Sequence, residues 1–125
     1  MKDINSPKQN SLQVKDRTFE YSLNVINLIR KIGKNDFAGQ IVARQLVRSA
    51  TSIGANIIEA QAASSKKDFA NYFQIALKSA NESIYWLELL DKGKILGDNQ
   101  IKPLIEETKI ICKIIAKSII TIKGK

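Results

Sequence analysis

The side chains that could do chemistry in this chain are mostly lysines and arginines, because the residue types used most often in catalysis are scarce. The 125 residues include no histidine and a single cysteine, which excludes histidine acid–base catalysis, an internal disulfide and a His/Cys zinc site. The carboxylates Glu106, Glu107 and Asp91 are scattered around predicted helix ends, whereas a magnesium-dependent nuclease needs clustered carboxylates. The sequence therefore predicts a protein that is not an enzyme and holds no metal or cofactor.

A stripe of lysines is the first candidate for binding. Lys109, Lys113 and Lys117 recur every four residues, and no acid follows Glu107 in a chain whose formal net charge is +8. This spacing places the three lysines on one face of a helix. That face is either a solvated surface near a helix C-terminus or a track for the phosphate backbone of RNA or DNA, bound by charge and shape. Secondary candidates for the same contact are Arg44, Arg48, Lys66 and Lys67.

A polar row at helical spacing is the second candidate, and it lies opposite the apolar row of the same predicted helix. Three interpretations are open: a solvated face, a polar contact between helices that fixes register or subunit arrangement, and a ligand or catalytic site. The last has little support, because a single glutamate without a partner acid, a histidine or a metal cluster is a poor basis for catalysis. The row consists of Arg48, Ser52, Asn56 and Glu59.

Helices must position these side chains, because apolar residues recur with a helical period along most of the chain. The polar residues 1–15 are predicted to form a flexible N-terminal arm. The first helix is predicted over about 16–32. Its apolar residues fall into one row of Phe19, Leu23 and Ile26 and a neighbouring row of Val25, Ile29 and Ile32.

The second and third helices are marked by glycines and a capping residue. The second is predicted from near residues 37–40 to near residue 63, and Gly54 in its middle indicates close packing against another helix. Ser65 is the predicted N-cap of the third helix, and Gly93 ends it. Their core rows are Val42, Leu46, Ala50, Ile53 and Ile57, and then Phe69, Phe73, Ala76, Ala80, Ser83, Leu87 and Leu90.

The fourth helix is predicted over about 99–122, with Asp98 as its N-cap and Pro103 in its first turn, where a missing N–H costs little. Its core row is Leu104, Thr108, Ile111, Ile115, Ile119 and Ile122.

Four helices with short connections predict an all-α fold, an antiparallel up-down-up-down bundle over residues 16–125. The heptad-like spacing of the third helix favours left-handed packing. No stretch of about 18 apolar residues is free of charge, and no signal-peptide pattern is present, so we expect a cytoplasmic protein with no membrane segment.

The third and fourth helices also carry apolar residues outside their core rows. These either widen the buried arc and add ordinary scattered surface residues, or they form a second packing surface. We expect the second, because Trp86 is among them and large aromatic residues anchor interfaces. The predicted oligomer interface consists of Ile75, Ser79, Glu82, Trp86 and Leu89 on the third helix and Ile110 and Ile114 on the fourth.

Three segments together resemble a known family. They are RSATSIGANIIE at 48–59, SKKDF at 65–69 and IALKSANE at 75–82. As a set they are similar to the four-helix-bundle family of bacterial 23S rRNA intervening-sequence proteins, to which accessory proteins of diversity-generating retroelements also belong. The resemblance extends over about residues 16–122.

The resemblance implies an antiparallel four-helix bundle that assembles into a closed ring, expected to be a homopentamer, with a basic surface that associates with nucleic acid. It implies no reaction. Similarity to the retroelement members makes RNA or DNA, and a reverse transcriptase or another protein, the expected partners. The alternative is a ring-forming scaffold that docks a protein partner without nucleic acid.

Overall fold

In a computed structural model, the described residues 7–97 and 99–124 form four α-helices and no strand, with side chains described from residue 13 onward. Each helix packs against its neighbours in sequence, and the last packs against the first. The second and fourth helices therefore lie diagonally across the molecule, and the predicted all-α four-helix bundle is confirmed. None of the helices, over these residues, has the length and apolar character needed to cross a membrane. The elements are α1, Pro7–Ile29; α2, Phe37–Gln61; α3, Lys66–Lys92; and α4, Ile101–Lys123.

The ends of α2 and α3 follow local capping chemistry. The Ser65 side chain accepts a hydrogen bond from the Asp68 N–H at 3.1 Å, which confirms the predicted N-cap of α3. Gly93 is the C-cap of the same helix, as predicted. The carboxylate of Asp36 caps α2 in the same way, accepting from the Gly39 N–H at 3.0 Å. These caps satisfy amide donors that have no partner inside the first turn.

Two helices begin at residues other than those predicted. Helix α1 begins at Pro7, so residues 7–15, which the sequence analysis placed in the N-terminal arm, are helical. Residues 1–6 lie outside the described part of the chain. Helix α4 begins after Gln100, which makes no side-chain capping bond, and the predicted cap Asp98 also lies outside the described residues. Proline is favoured in the first turn of a helix, which is where α1 places Pro7.

The core rows of α3 and α4 are confirmed almost residue for residue. On α3, every predicted core residue except Phe69 is buried, and Phe69 is partly buried. In the α2 row, Val42 is likewise partly buried. All six predicted residues of α4 are buried. These helices have one dominant apolar face, so the helical period alone identifies the side that enters the core.

Only part of the two apolar rows of α1 enters the core. Phe19 and Leu23 are 61% and 41% exposed, whereas Tyr21, Val25 and Leu28 are at most 1% exposed. Helix α1 carries two neighbouring apolar rows, and the helical period does not decide between them. Packing decides, because the buried row contacts α2 and α4 at specific positions.

Two such contacts orient α1. A Cβ atom at Gly54 would lie 3.2 Å from the Thr18 hydroxyl oxygen, so the predicted close packing at this glycine is confirmed, with α1 as the partner. On the other side, the Tyr21 hydroxyl lies 2.6 Å from the Thr108 hydroxyl of α4. A second buried hydroxyl pair, Ser49 and Ser83, joins α2 to α3 at 2.8 Å. Buried polar pairs of this kind favour one register of the helices.

Candidate functional site

The polar row of α2 forms contacts with α3 inside one chain. Arg48 forms an ion pair with Glu82, and it also donates to the side-chain oxygen of Gln45 at 3.1 Å. The same Glu82 carboxylate accepts a hydrogen bond from the indole N–H of Trp86 at 2.8 Å. Glu82 therefore joins a guanidinium from one helix to an aromatic residue on the other.

The middle of the row continues this polar seam. Ser79 of α3 donates to the Ser52 hydroxyl at 3.0 Å, and the Asn56 amide donates to the Ser52 carbonyl at 2.8 Å. Glu59 lies beyond these contacts and is exposed. Of the three interpretations of the row, the structure shows the helix-to-helix contact for Arg48 and Ser52.

The predicted interface residues lie on two opposite sides of the bundle. On α3, Ser79 and Glu82 face α2, and Ile75 and Leu89 on the same flank are 45% and 37% exposed. Ile114 instead lines a groove with α1. Its neighbour one turn away, Ile110, is 42% exposed. The α3 flank and the two isoleucines of α4 therefore do not form one continuous surface.

Another apolar surface lies between α1 and α2, and the predicted interface does not include it. Phe19 and Leu23 of α1 and Ile58 of α2 line a groove of about 550 Å³. Ile58 is 52% exposed. The signal is present in the sequence as the Phe19, Leu23 and Ile26 row, but the helical period alone does not show that this row is exposed.

The lysine stripe of α4 is exposed along its whole length. Lys109 lies 3.6 Å from Glu106, whereas Lys113 and Lys117 form no ion pair with the described residues. Lys117 lines a groove of about 610 Å³ against α1. The predicted face therefore carries two uncompensated positive charges, and one of them borders a concave surface.

The secondary basic candidates divide into two groups. Lys66 and Lys67 at the start of α3 meet Lys123 at the end of α4 around a hollow of about 430 Å³. Arg44 is exposed on α2, diagonal to α4, and Arg48 is paired with Glu82. The structure therefore joins the two lysines of α3 to the basic end of α4, and it separates the two arginines from that surface.

Between α1 and α4 lies a second concave feature, a cleft of about 830 Å³. Arg17 and Glu107 form an ion pair across it, with two contacts at 2.6 and 2.9 Å. The hydrogen bond to Glu107 raises the pKa of Arg17, against a smaller opposing effect of burial. The sequence signal for this cleft is a set of polar residues spaced seven apart, namely Arg17 and Asn24 on α1 and Lys31 just beyond its end.

Reactive groups do not converge on any of these surfaces within the described residues. No group of three or more His, Cys, Asp or Glu side chains is placed to hold a metal ion there. Cys112 is partly buried, and burial raises the pKa of its thiol. The arrangement is suited to contacts made by charge, hydrogen bonds and apolar burial.

Comparisons with known proteins agree on the fold. A family model described as 23S rRNA-intervening sequence protein matches residues 10–117. A crystal structure of a protein with unknown function from the S23 ribosomal protein family of Bacteroides thetaiotaomicron is 37% identical, with a TM-score of 0.80, and the match covers 88% of this chain and 97% of that one. No curated protein matches the chain. On the strength of the family match along nearly the whole bundle, the chain belongs to the 23S rRNA-intervening sequence protein family.

Proposed function

We propose that this protein is a non-enzymatic, cytoplasmic helical bundle that assembles into a closed ring and binds RNA or DNA electrostatically. The observation that supports binding is the exposed face of α4, where Lys113 and Lys117 have no acidic partner among the described residues. Uncompensated lysines on one face attract phosphates and release counterions from nucleic acid. Because α4 carries no exposed aromatic side chain, charge dominates this contact.

The basic surface extends beyond the stripe to one end of the bundle. Lys66 and Lys67 converge with Lys123 there, and all three side chains are exposed. We include this cluster in the proposed surface and leave out Arg48, whose charge is neutralised by Glu82.

Apolar surfaces on the other side of the bundle support assembly. A closed ring of more than two copies needs two different patches on each copy, because its contacts run head to tail. The α1–α2 groove around Leu23 and Ile58 and the α3 flank around Ile75 and Leu89 are two such patches. Pairing them leaves α4 outside the contact, and a homopentamer is the ring we propose.

Binding across a salt series tests the nucleic-acid function. The affinity of the wild-type protein is expected to fall steeply between low and physiological salt. Replacing Lys109, Lys113 and Lys117 by alanine is expected to reduce the slope of log K against log salt by about 0.7–0.9 for each phosphate that the variant no longer neutralises. Filter binding on RNA and DNA of equal length measures both quantities.

Lys92→Ala is the matched control for this series. Lys92 is also an exposed helical lysine, but it lies on α3 and pairs with Glu88 at 3.2 Å. Its removal is expected to leave the salt slope unchanged. Absent binding, or binding that does not depend on salt, would refute the proposal.

A scaffold that docks a protein partner is the second candidate, and the exposed α3 flank favours it. Ile75 and Leu89 lie beside the partly buried Trp86, an arrangement that resembles an anchor with an apolar surround. A pull-down that recovers a protein but no nuclease-sensitive material would select this function over nucleic-acid binding.

A further inference from the structure

The cleft between α1 and α4 is held open by polar contacts at its two ends. The ion pair of Arg17 and Glu107 bridges one end, and Lys31 donates to the side-chain oxygen of Gln100 at 3.1 Å at the other. Arg17 lies on α1 and Lys31 lies two residues beyond its end at Ile29, so the cleft follows the C-terminal half of that helix. The volume of about 830 Å³ lies within the range of ligand-binding clefts, roughly 300–1,000 Å³.

The walls of this cleft are rich in amide side chains. Asn24 and Asn27 are exposed on α1, and Asn99 and Gln100 line the same cleft just before α4 begins. The oxygens of Asn27 and Gln100 already accept hydrogen bonds from Arg30 and Lys31, whereas an amide such as that of Asn24 offers a donor and an acceptor side by side. Unpaired bases also present a donor beside an acceptor, and polar side chains bind these edges through hydrogen bonds.

One carboxylate in the cleft discriminates among bases. Glu20 is exposed, lines the cleft and forms no ion pair with the described residues. An ionised carboxylate only accepts hydrogen bonds, so it favours the exocyclic amine of cytosine and opposes the O4 carbonyl that uracil presents at the same position. It also repels phosphate, which keeps the nucleic-acid backbone at the rim.

At its Arg17 end, the cleft adjoins the groove that Lys117 of the basic stripe lines. Arg17 lines both the cleft and the groove that continues along α1 and α4, and Lys117 of the stripe lines that groove. A strand whose phosphates follow Lys117 along the seam therefore brings its bases over the amides. A duplex does not fit this arrangement, because its Watson–Crick edges are already paired.

From these contacts we infer that the α1–α4 cleft binds unpaired bases of single-stranded RNA, with a preference for cytosine over uracil. The inference rests on the nucleic-acid function proposed above and names its substrate class. Base edges of RNA are accessible in single strands, where they pair with polar side chains. The cleft adds base contacts to a surface that otherwise recognises charge.

Equal-length single-stranded oligo(C) and oligo(U) test the inference, because they carry the same backbone charge. The full chain is expected to bind oligo(C) at least about fivefold more tightly than oligo(U), the lower end of what one bidentate base contact provides. A blunt RNA duplex of the same total charge is expected to bind no better than oligo(U). Glu20→Gln, and separately the double change Asn24→Ala with Asn27→Ala, are expected to bring the oligo(C)/oligo(U) ratio to about one.

These variants replace exposed side chains, so folding is retained. Asn71→Ala is the matched control, since Asn71 is an exposed asparagine of α3 outside the cleft, and it is expected to keep the wild-type ratio. Equal binding of both oligomers with normal salt dependence would overturn the inference about the cleft, but it would agree with nucleic-acid binding by the basic surface. A preference that survives the cleft variants would also overturn it. Failure of every nucleic acid to bind would overturn both proposals.

Discussion

The hydroxyl of Tyr21 lies between α1 and α4 in the centre of the bundle. Thr108 donates to the Leu104 carbonyl at 2.6 Å, so Tyr21 is the donor in its own 2.6 Å contact with Thr108. Burial raises the pKa of Tyr21 to about 12, and the hydrogen bond to Thr108 opposes this only in part. The Tyr21 side chain must therefore stay protonated in this packing, because a phenolate would lose its hydration there.

Tyr21 predicts a specific alkaline loss of stability. A tyrosine has a pKa of about 10 in the unfolded chain, and folding raises it. The stability that the protein gains by keeping Tyr21 protonated is present in full below about pH 10. As the pH rises from there towards 12, the free energy of unfolding falls by about 1.4 kcal/mol per pH unit. The free energies of unfolding of wild type and Tyr21→Phe, measured in urea, should therefore converge over this interval. Parallel pH profiles for the two proteins would contradict the assignment, since the two proteins differ only in this hydroxyl.

At the scale of the elements, α2 approaches both neighbours through small residues. Gly54 meets Thr18 of α1, and Ser49 and Ser52 meet Ser83 and Ser79 of α3. Small side chains allow helix backbones to come close, and their hydroxyls bond across the contact. These residues of α2 lie within the segment 48–59, so that segment maintains the packing of the helix against both neighbours.

Gly54→Ala tests the close approach of α1. Alanine is favoured over glycine in a helix by about 1 kcal/mol, but the new Cβ atom would lie 3.2 Å from the Thr18 hydroxyl oxygen. That hydroxyl is buried and bonded to the Val14 carbonyl at 2.8 Å, so it has little freedom to move. We expect Gly54→Ala to stabilise a Thr18→Ala background by about 1 kcal/mol and to give no gain in wild type.

Chemical denaturation of the four proteins in this cycle gives the coupling energy. Two contacting residues are expected to couple by about 0.5–3 kcal/mol. Equal effects of Gly54→Ala in both backgrounds would show that the helices do not touch at this point.

At the scale of the whole molecule, the lysine stripe and the two apolar patches lie on different sides of the bundle. Lys113 and Lys117 lie on α4, and Lys66, Lys67 and Lys123 lie at its junction with the start of α3. Most exposed apolar side chains lie on α1, α2 and α3, including Phe19, Ile58 and Leu89, whereas Ile110 and Ile120 are exposed on α4. Such a division suits a ring in which one side of each copy is buried by its neighbours and the basic helix faces outward.

Leu23→Glu is expected to dissociate the ring. Leu23 is 41% exposed in the α1–α2 groove, so a charge there costs little in a monomer but is buried unpaired in the proposed contact. Light scattering should report an oligomer for wild type and a particle of 14.0 kDa for the variant.

Ile120→Glu provides the comparison for this change. Ile120 is 72% exposed on α4, outside the groove, and the variant should keep the wild-type mass. A wild-type particle of 14.0 kDa would refute the ring, and equal masses for both variants would refute the groove as its contact.

The amount of the fold that sequence patterns predict depends on how many apolar rows a helix carries. Helix α4 has one dominant row, and Ile111 and Ile115 could be assigned to the core without a structure. Helix α1 has two rows, and the helical period alone did not show that Phe19 is exposed and Val25 buried. The basic stripe was predictable because it needs only the helical period, whereas the cleft was not, because its walls come from opposite ends of the chain.

By itself, the sequence determined the four helices, the single face that carries Lys113 and Lys117, and the lack of histidine chemistry. Only the tertiary structure decided that Arg48 is neutralised by Glu82 and that the amides of α1 line one cleft with Asn99 and Gln100, which precede α4. The physical reason is that the helical period fixes the direction of a side chain relative to its own helix axis. Rotation about that axis, and the neighbour that each face meets, are set by packing between helices that are distant in sequence.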